Sequence, residues 1–201
     1  MNRFFSLAAL LSFVSLAAWA QAPQPAQSVW TIDTSHSTAE FSVRHMMVSK
    51  VKGRFGNVTG TITGDLARPE TAAVDVTIDA ASIDTDNENR DKHLRSADFF
   101  EVETYPTITF KSKKIEKAGD GLRMTGDLTM HGVTREIVLD VDGPVAPIKA
   151  GKSFRSGASA KGSLSRKDYG LTWNRALETG GVTVSDEVEI TIEVELVQKA
   201  E

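Results

Sequence analysis

Four histidines, His36, His45, His93 and His131, are the side chains in this 201-residue sequence best suited to proton transfer or metal ligation. A zinc site needs three or four ligands, often paired at short spacings such as H-x-x-x-H, and no such pair occurs. His36 and His131 are expected to cap or hydrogen-bond near turns, and His45 to occupy a strand face. A Ser-His-Asp hydrolase usually carries G-x-S-x-G at its nucleophile. The nearest text, Gly151-Lys152-Ser153-Phe154-Arg155, lacks the second glycine and opens a strand. Asp84, Asp86, Glu88 and Asp91 have the acidity of a calcium loop without its residue order or central glycine. There is no cysteine, hence no disulfide, thiolate nucleophile, zinc thiolate or iron–sulfur cluster. No glycine-rich phosphate loop precedes a helix. The expectation is no catalytic residue, no metal ligand set and no cofactor.

One short segment is more informative. Arg90, Lys92, His93 and Arg95 fall within six residues, beside Leu94, Phe99 and Phe100. In a connection that covers the end of a barrel, the apolar members would line an opening and the cations would meet an anionic or carbonyl head group. The same text also reads as a solvated helix with an Asp91–Arg95 pair at i,i+4, worth a few tenths of a kcal/mol.

The elements that must position these residues alternate with period two. Phe41, Val43 and His45 alternate with Glu40, Ser42 and Arg44, and Val74, Val76 and Ile78 with Asp75, Thr77 and Asp79. Leu122, Met124, Leu128 and Met130 share a parity, as do Val188, Ile190, Ile192, Val194 and Leu196. Such alternation marks half-buried strands with one wet face. Glycines within these runs (Gly53, Gly126, Gly162) suggest the bulges and bends of a curved sheet. Two stretches break the pattern: 86–100, read as a short helix in a long connection, and 165–181, an irregular or partly helical insertion. About eight short strands so spaced predict one antiparallel sandwich or barrel.

The first twenty residues are read as a signal peptide: Arg3 is followed by an apolar run, and Ala18-Trp19-Ala20 offers a cleavage site before Gln21. Residues 21–28 are read as a disordered mature start and 29–199 as the domain. Removal of the leader leaves 181 residues and shifts the formal charge from −4 to −5. That balance argues against a nucleic-acid partner. No later stretch approaches a membrane span, so a periplasmic protein free of integral membrane segments is expected.

The domain resembles the YceI-like family of exported, lipocalin-like polyisoprenoid-binding proteins over essentially its whole length. The resemblance rests on an ordered series: Trp30–Asp33 (WTID), Ser35–Ser37 (SHS), Phe41–His45 (FSVRH), Val51–Phe55 (VKGRF), Ile83–Thr85 (IDT) and Asn89–Leu94 (NRDKHL). It continues through Asp98–Phe100 (DFF), Tyr105–Phe110 (YPTITF), Gly126–Thr134 (GDLTMHGVT), Ser165–Gly170 (SRKDYG) and Val188–Ile192 (VEITI). It implies an all-β fold, a single lipocalin-like antiparallel barrel of about eight strands. Its interior would hold a long isoprenoid chain of the polyprenyl phosphate or quinone type, with a homodimer in some members. The candidate pocket residues are Phe41, Val43, Phe55, Val76, Ile78, Leu94, Phe99, Phe100, Ile108, Phe110, Leu128, Met130, Leu164 and Trp173. Arg90, Lys92, His93, Arg95 and Arg166 are the head-group candidates. Two other readings stand beside it: an enzyme on isoprenoid or quinone intermediates using His93 or His45 as acid–base groups, and an interaction module whose interior is merely packed.

Overall fold

The structure, a computed structural model, describes residues 28–178 and 180–200. The leader and nearly all of the expected disordered start lie outside the described residues. Twelve strand segments and one α-helix follow in chain order. They are β1 (Val29–Ile32), β2 (Thr38–His45), β3 (Ser49–Phe55), β4 (Val58–Thr63), β5 (Ala73–Asp79), β6 (Ile83–Asp84) and α1 (Glu88–Arg95). Then come β7 (Thr107–Ala118), β8 (Gly121–Met130), β9 (Val133–Asp142), β10 (Ile148–Ala150), β11 (Ser153–Ser165) and β12 (Val184–Lys199).

Strand pairing among the described residues is antiparallel throughout, and the order β11–β9–β8–β7–β5–β4–β1–β12 returns to β11. The ring therefore closes with eight staves, which removes the unpaired edges an open sheet would expose. Twelve segments make eight staves because three staves are broken and β10 is a short strand added beside β11, outside the ring. A short turn at 34–36 divides β1 from β2, Gly56 and Asn57 separate β3 from β4, and residues 80–82 separate β5 from β6. Beyond the breaks the wall continues as β12–β2–β3–β6. The longest seam joins β11 to β12 in unbroken register from Ser153↔Lys199 to Ser165↔Glu187.

Alternation decides which face is inside. Along β12, Val188, Ile190, Ile192, Val194 and Leu196 face the interior, while Glu187, Glu189, Glu193 and Glu195 take the opposite parity. Glycine enters where an inward aromatic ring lies over the neighbouring strand. A Cβ on Gly53 would lie 2.4 Å from Phe41 Cζ, and one on Gly126 would lie 2.4 Å from Phe110 Cζ and 2.5 Å from the Lys111 carbonyl oxygen. Beside Gly126 the β7–β8 register slips between Ser112 and Lys114, the bulge that a tightly curved wall requires. Lys113 in that slip pairs with Asp127 and Glu136.

The two ends differ. One carries the connections 64–72, 119–120 and 143–152, the last including β10. The other carries the β2–β3 hairpin, α1 with the connection through residue 106, the β8–β9 turn and the 166–183 segment. Helix α1 starts at Asn87, whose side chain accepts from the Arg90 N–H at 3.0 Å. The Asp91–Arg95 pair expected from the sequence does not form. Asp91 is buried and accepts from the Thr85 N–H and hydroxyl, while Arg95 donates to the carbonyls of Ala81 and Ile83. Buried backbone groups at the helix–strand junction outcompete an exposed helical ion pair.

Candidate functional site

The barrel encloses a cavity of about 260 Å³. That is many times the space one water needs. It runs between the ends: Val43, Leu94, Phe99, Phe100, Leu164, Leu171, Val184 and Val188 line it on the helix side, and Leu66, Pro69, Ala72, Leu122, Val141 and Pro144 on the other. Among its forty lining residues only Glu40, Ser159 and Arg166 are polar. Glu40 and Ser159 belong to the outer parity of their strands, so Arg166 is the one charged side chain turned to the interior. Water held here would find almost no hydrogen-bond partners, and an apolar guest would displace it favourably. A barrel with such a space is not merely packed.

Thirteen of the fourteen residues singled out from the sequence line this cavity: Phe41, Val43, Phe55, Val76, Ile78, Leu94, Phe99, Phe100, Ile108, Phe110, Leu128, Met130 and Leu164. Trp173 does not. Its ring packs on Phe99 at 5.2 Å and on His93 at 4.9 Å, pinning the 166–183 segment against α1, and the Arg175 guanidinium lies over the ring at 5.8 Å. The inward row of β12, together with Leu122 and Met124, also lines the cavity. Their shared parity was the signal for them. Leu66, Pro69, Ala72 and Pro144 come from turns, where no periodicity betrays an inward side chain.

The cations expected to meet a head group are largely committed to the fold. Arg90 donates to the hydroxyl and carbonyl of Thr85, each at 2.8 Å, and Arg95 holds the carbonyls already described. His93 pairs with Asp98 at 2.8 Å. Lys92 is exposed and lies off the cavity lining. Arg166, only 4% exposed, spends its whole guanidinium. Nε donates to the Ser185 carbonyl, Nη1 to those of Leu171 and Trp173, and Nη2 to the Val184 carbonyl and the Asp186 carboxylate. Burial pulls this guanidinium below the usual arginine range, opposed by Asp186. Arg166 thus staples the insertion to the start of β12.

Over its length the chain matches one family model, the YceI-like domain, at residues 30–196. The chain belongs to the YceI-like family. A UPF0312 protein of Staphylococcus aureus is 38% identical to it over 83% of this chain and 95% of its own. The crystal structure of the Campylobacter jejuni YCEI protein is 31% identical, covers 94% of this chain and 99% of that one, and superposes with a TM-score of 0.66. A domain from Saccharophagus degradans, described as polyisoprenoid-binding and implicated in plant cell wall breakdown, shares the fold. It is 18% identical, with a TM-score of 0.59 over 86% of this chain and 98% of that one.

The YceI-like barrel also carries two polar clusters outside its cavity. Asp33, His36 and Glu195 gather their ligand atoms within 4.8 Å of one another. Arg155 donates to Asp33 at 3.0 Å and ion-pairs with Glu195, so a guanidinium already supplies the positive charge between the two carboxylates. His36 and Arg155 hold the Asp33 carboxyl down at about 2. In the second cluster, His131 Nδ1 donates to the Tyr169 carbonyl at 3.0 Å while Tyr105 packs against the ring. Burial pushes the Tyr169 phenol up to about 12, with Asp168 adding to it. Both join segments distant in sequence, and none of their side chains lines the cavity. His45 ends β2 at the hairpin and forms no ion pair among the described residues.

Proposed function

We propose that this chain is an exported lipid-binding protein that holds a long isoprenoid chain, of the polyprenyl phosphate or quinone type, inside its barrel for transport, storage or sequestration. Export to the periplasm would use the N-terminal signal peptide read from the sequence. The observation that carries the reading is a cavity running between the barrel ends whose only inward charge has no donor left to offer a guest. Binding then rests on apolar burial, at roughly 0.8 kcal/mol for each methylene removed from water, less the cost of ordering the chain. The polyisoprenoid-binding domain of the same fold supports an isoprenoid over other apolar guests. With Arg90, Arg95 and Arg166 engaged by backbone carbonyls, the head group is left to solvent or to peripheral contacts rather than to a built anion pocket.

Native mass spectrometry of protein purified without detergent tests this directly. The expected spectrum carries an extractable lipid mass, or gains one on addition of a polyprenyl phosphate or a quinone. A spectrum that stays at the bare protein mass under both conditions would overturn the proposal.

A further inference from the structure

The β2–β3 hairpin turns through Met46, Met47 and Val48, which are 46%, 57% and 83% exposed. Both methionines hold a left-handed backbone, with φ of 50° and 61°. Asn and Gly are the usual residues in that conformation. The turn is nevertheless well built. The Met46 N–H donates to the Thr183 carbonyl at 2.8 Å and the Val48 N–H to the His45 carbonyl at 3.0 Å. The neighbouring segment is tied back by an Ala176–Val182 bridge, with Gly181 lying against Met47. A polar turn would satisfy the same hydrogen bonds. Fold stability therefore gives no reason for three exposed apolar side chains in a row.

Their surroundings say what fits them. Arg44 and Arg175 flank the tip, with Lys52 further back along β3 opposite Ser42, and none of the three forms an ion pair among the described residues, whereas nearby Lys50 is neutralised by Glu189. Glu178 is the acidic neighbour at the base of the tip. Directly behind the tip, His45 pairs with Val184 and Val43 with Val188; the three valines line the cavity. Three side chains cover far less than the roughly 800 Å² per partner of a stable protein interface. They do suit the boundary of a bilayer, where apolar side chains enter the acyl region and cations meet lipid phosphates.

We propose that Met46, Met47 and Val48 insert into a lipid bilayer while Arg44, Lys52 and Arg175 contact anionic head groups, so that the cavity exchanges its lipid with a membrane at this end. The proposal rests on the lipid-binding reading, and its test separates the two.

Protein purified in its exported form is sedimented with vesicles of phosphatidylcholine, alone or with added phosphatidylglycerol, beside a Met47→Ser/Val48→Ser variant and an Arg44→Gln/Lys52→Gln variant of unchanged thermal unfolding. The parent protein should bind both vesicles, more tightly the anionic ones. Each apolar substitution should lower partitioning about tenfold. The charge variant should lose the preference for anionic vesicles and its salt sensitivity. Parent protein that stays in the supernatant overturns the proposal, as does a serine variant that binds like the parent. A serine variant that changes the oligomeric mass in sedimentation velocity overturns it in favour of a second copy at the tip. Native mass spectra of the same samples report cavity occupancy independently. Lipid inside without vesicle binding overturns only the membrane contact, and vesicle binding by a permanently empty barrel overturns only the cavity reading.

Discussion

Asp33 shows how much one side chain gathers once the chain is folded. It accepts from the Ser35 N–H, His36 and Arg155, the last 122 positions away in sequence. Its carboxyl, held at about 2, stays ionised to lower pH than in the unfolded chain, where a carboxylate titrates near ~3.9. A depressed carboxyl stabilises the fold fully above the unfolded value and loses that contribution as pH falls through the folded one. Asp33→Asn should therefore lower the melting temperature at neutral pH, and the gap to the parent protein should narrow from about pH 4 downward and close below about pH 2. Parallel melting curves from pH 7 to pH 2 would show that Asp33 contributes nothing through its charge. His36 was expected to hydrogen-bond near a turn, and it does. That Arg155 and Glu195 join it was invisible, because their approach depends on strand pairing across the ring. The head-group candidates teach the same lesson. A basic hexapeptide is legible as text, but whether its charges face solvent, ligand or backbone carbonyls is decided by the elements packed around it.

At the scale of elements the strand pattern was largely legible. The parity of Val74, Val76 and Ile78, of Leu122 to Met130 and of Val188 to Leu196 matches the inward rows lining the cavity. The short helix appears where expected, capped by Asn87 and presenting Leu94 inward. Trp173 was misplaced because no period runs through 166–183. An aromatic residue in an irregular segment can face either way, and this one closes over Phe99 and His93. Gly126 occupies an inward slot of β8 that an ordinary side chain could fill by pattern alone, but the Phe110 ring and the Lys111 carbonyl occupy that space. Gly126→Ala should overpack the wall and cost about 1–3 kcal/mol. In urea denaturation the midpoint should fall with the slope unchanged. An unchanged midpoint would mean that the bulge at Lys113 absorbs the methyl group.

For the whole molecule, closure of eight staves makes an interior, and small residues at its waist keep it open. Ala160 faces inward between Ile192 of β12 and Val141 of β9, and Ile192 is in turn flanked by Ala39. Ala160→Phe should fill the middle of the cavity and sharply reduce lipid retained in native mass spectra, while the circular dichroism of the barrel is preserved. Full retention of lipid would place the guest elsewhere. Among the described residues no helix is long and apolar enough to cross a membrane, which says nothing of strands. From sequence alone came the all-β class, the inward faces of the strands and the family, because these depend on short-range periodicity and on the order of motifs along the chain. The tertiary structure alone decided that the inward faces leave a space rather than a packed core. It also decided that the buried arginine is fully spent on carbonyls and the Asp186 carboxylate, and that an apolar hairpin tip stands beside the cavity end. Each of these depends on distances between residues far apart in the chain, which the closing of the ring brings into being.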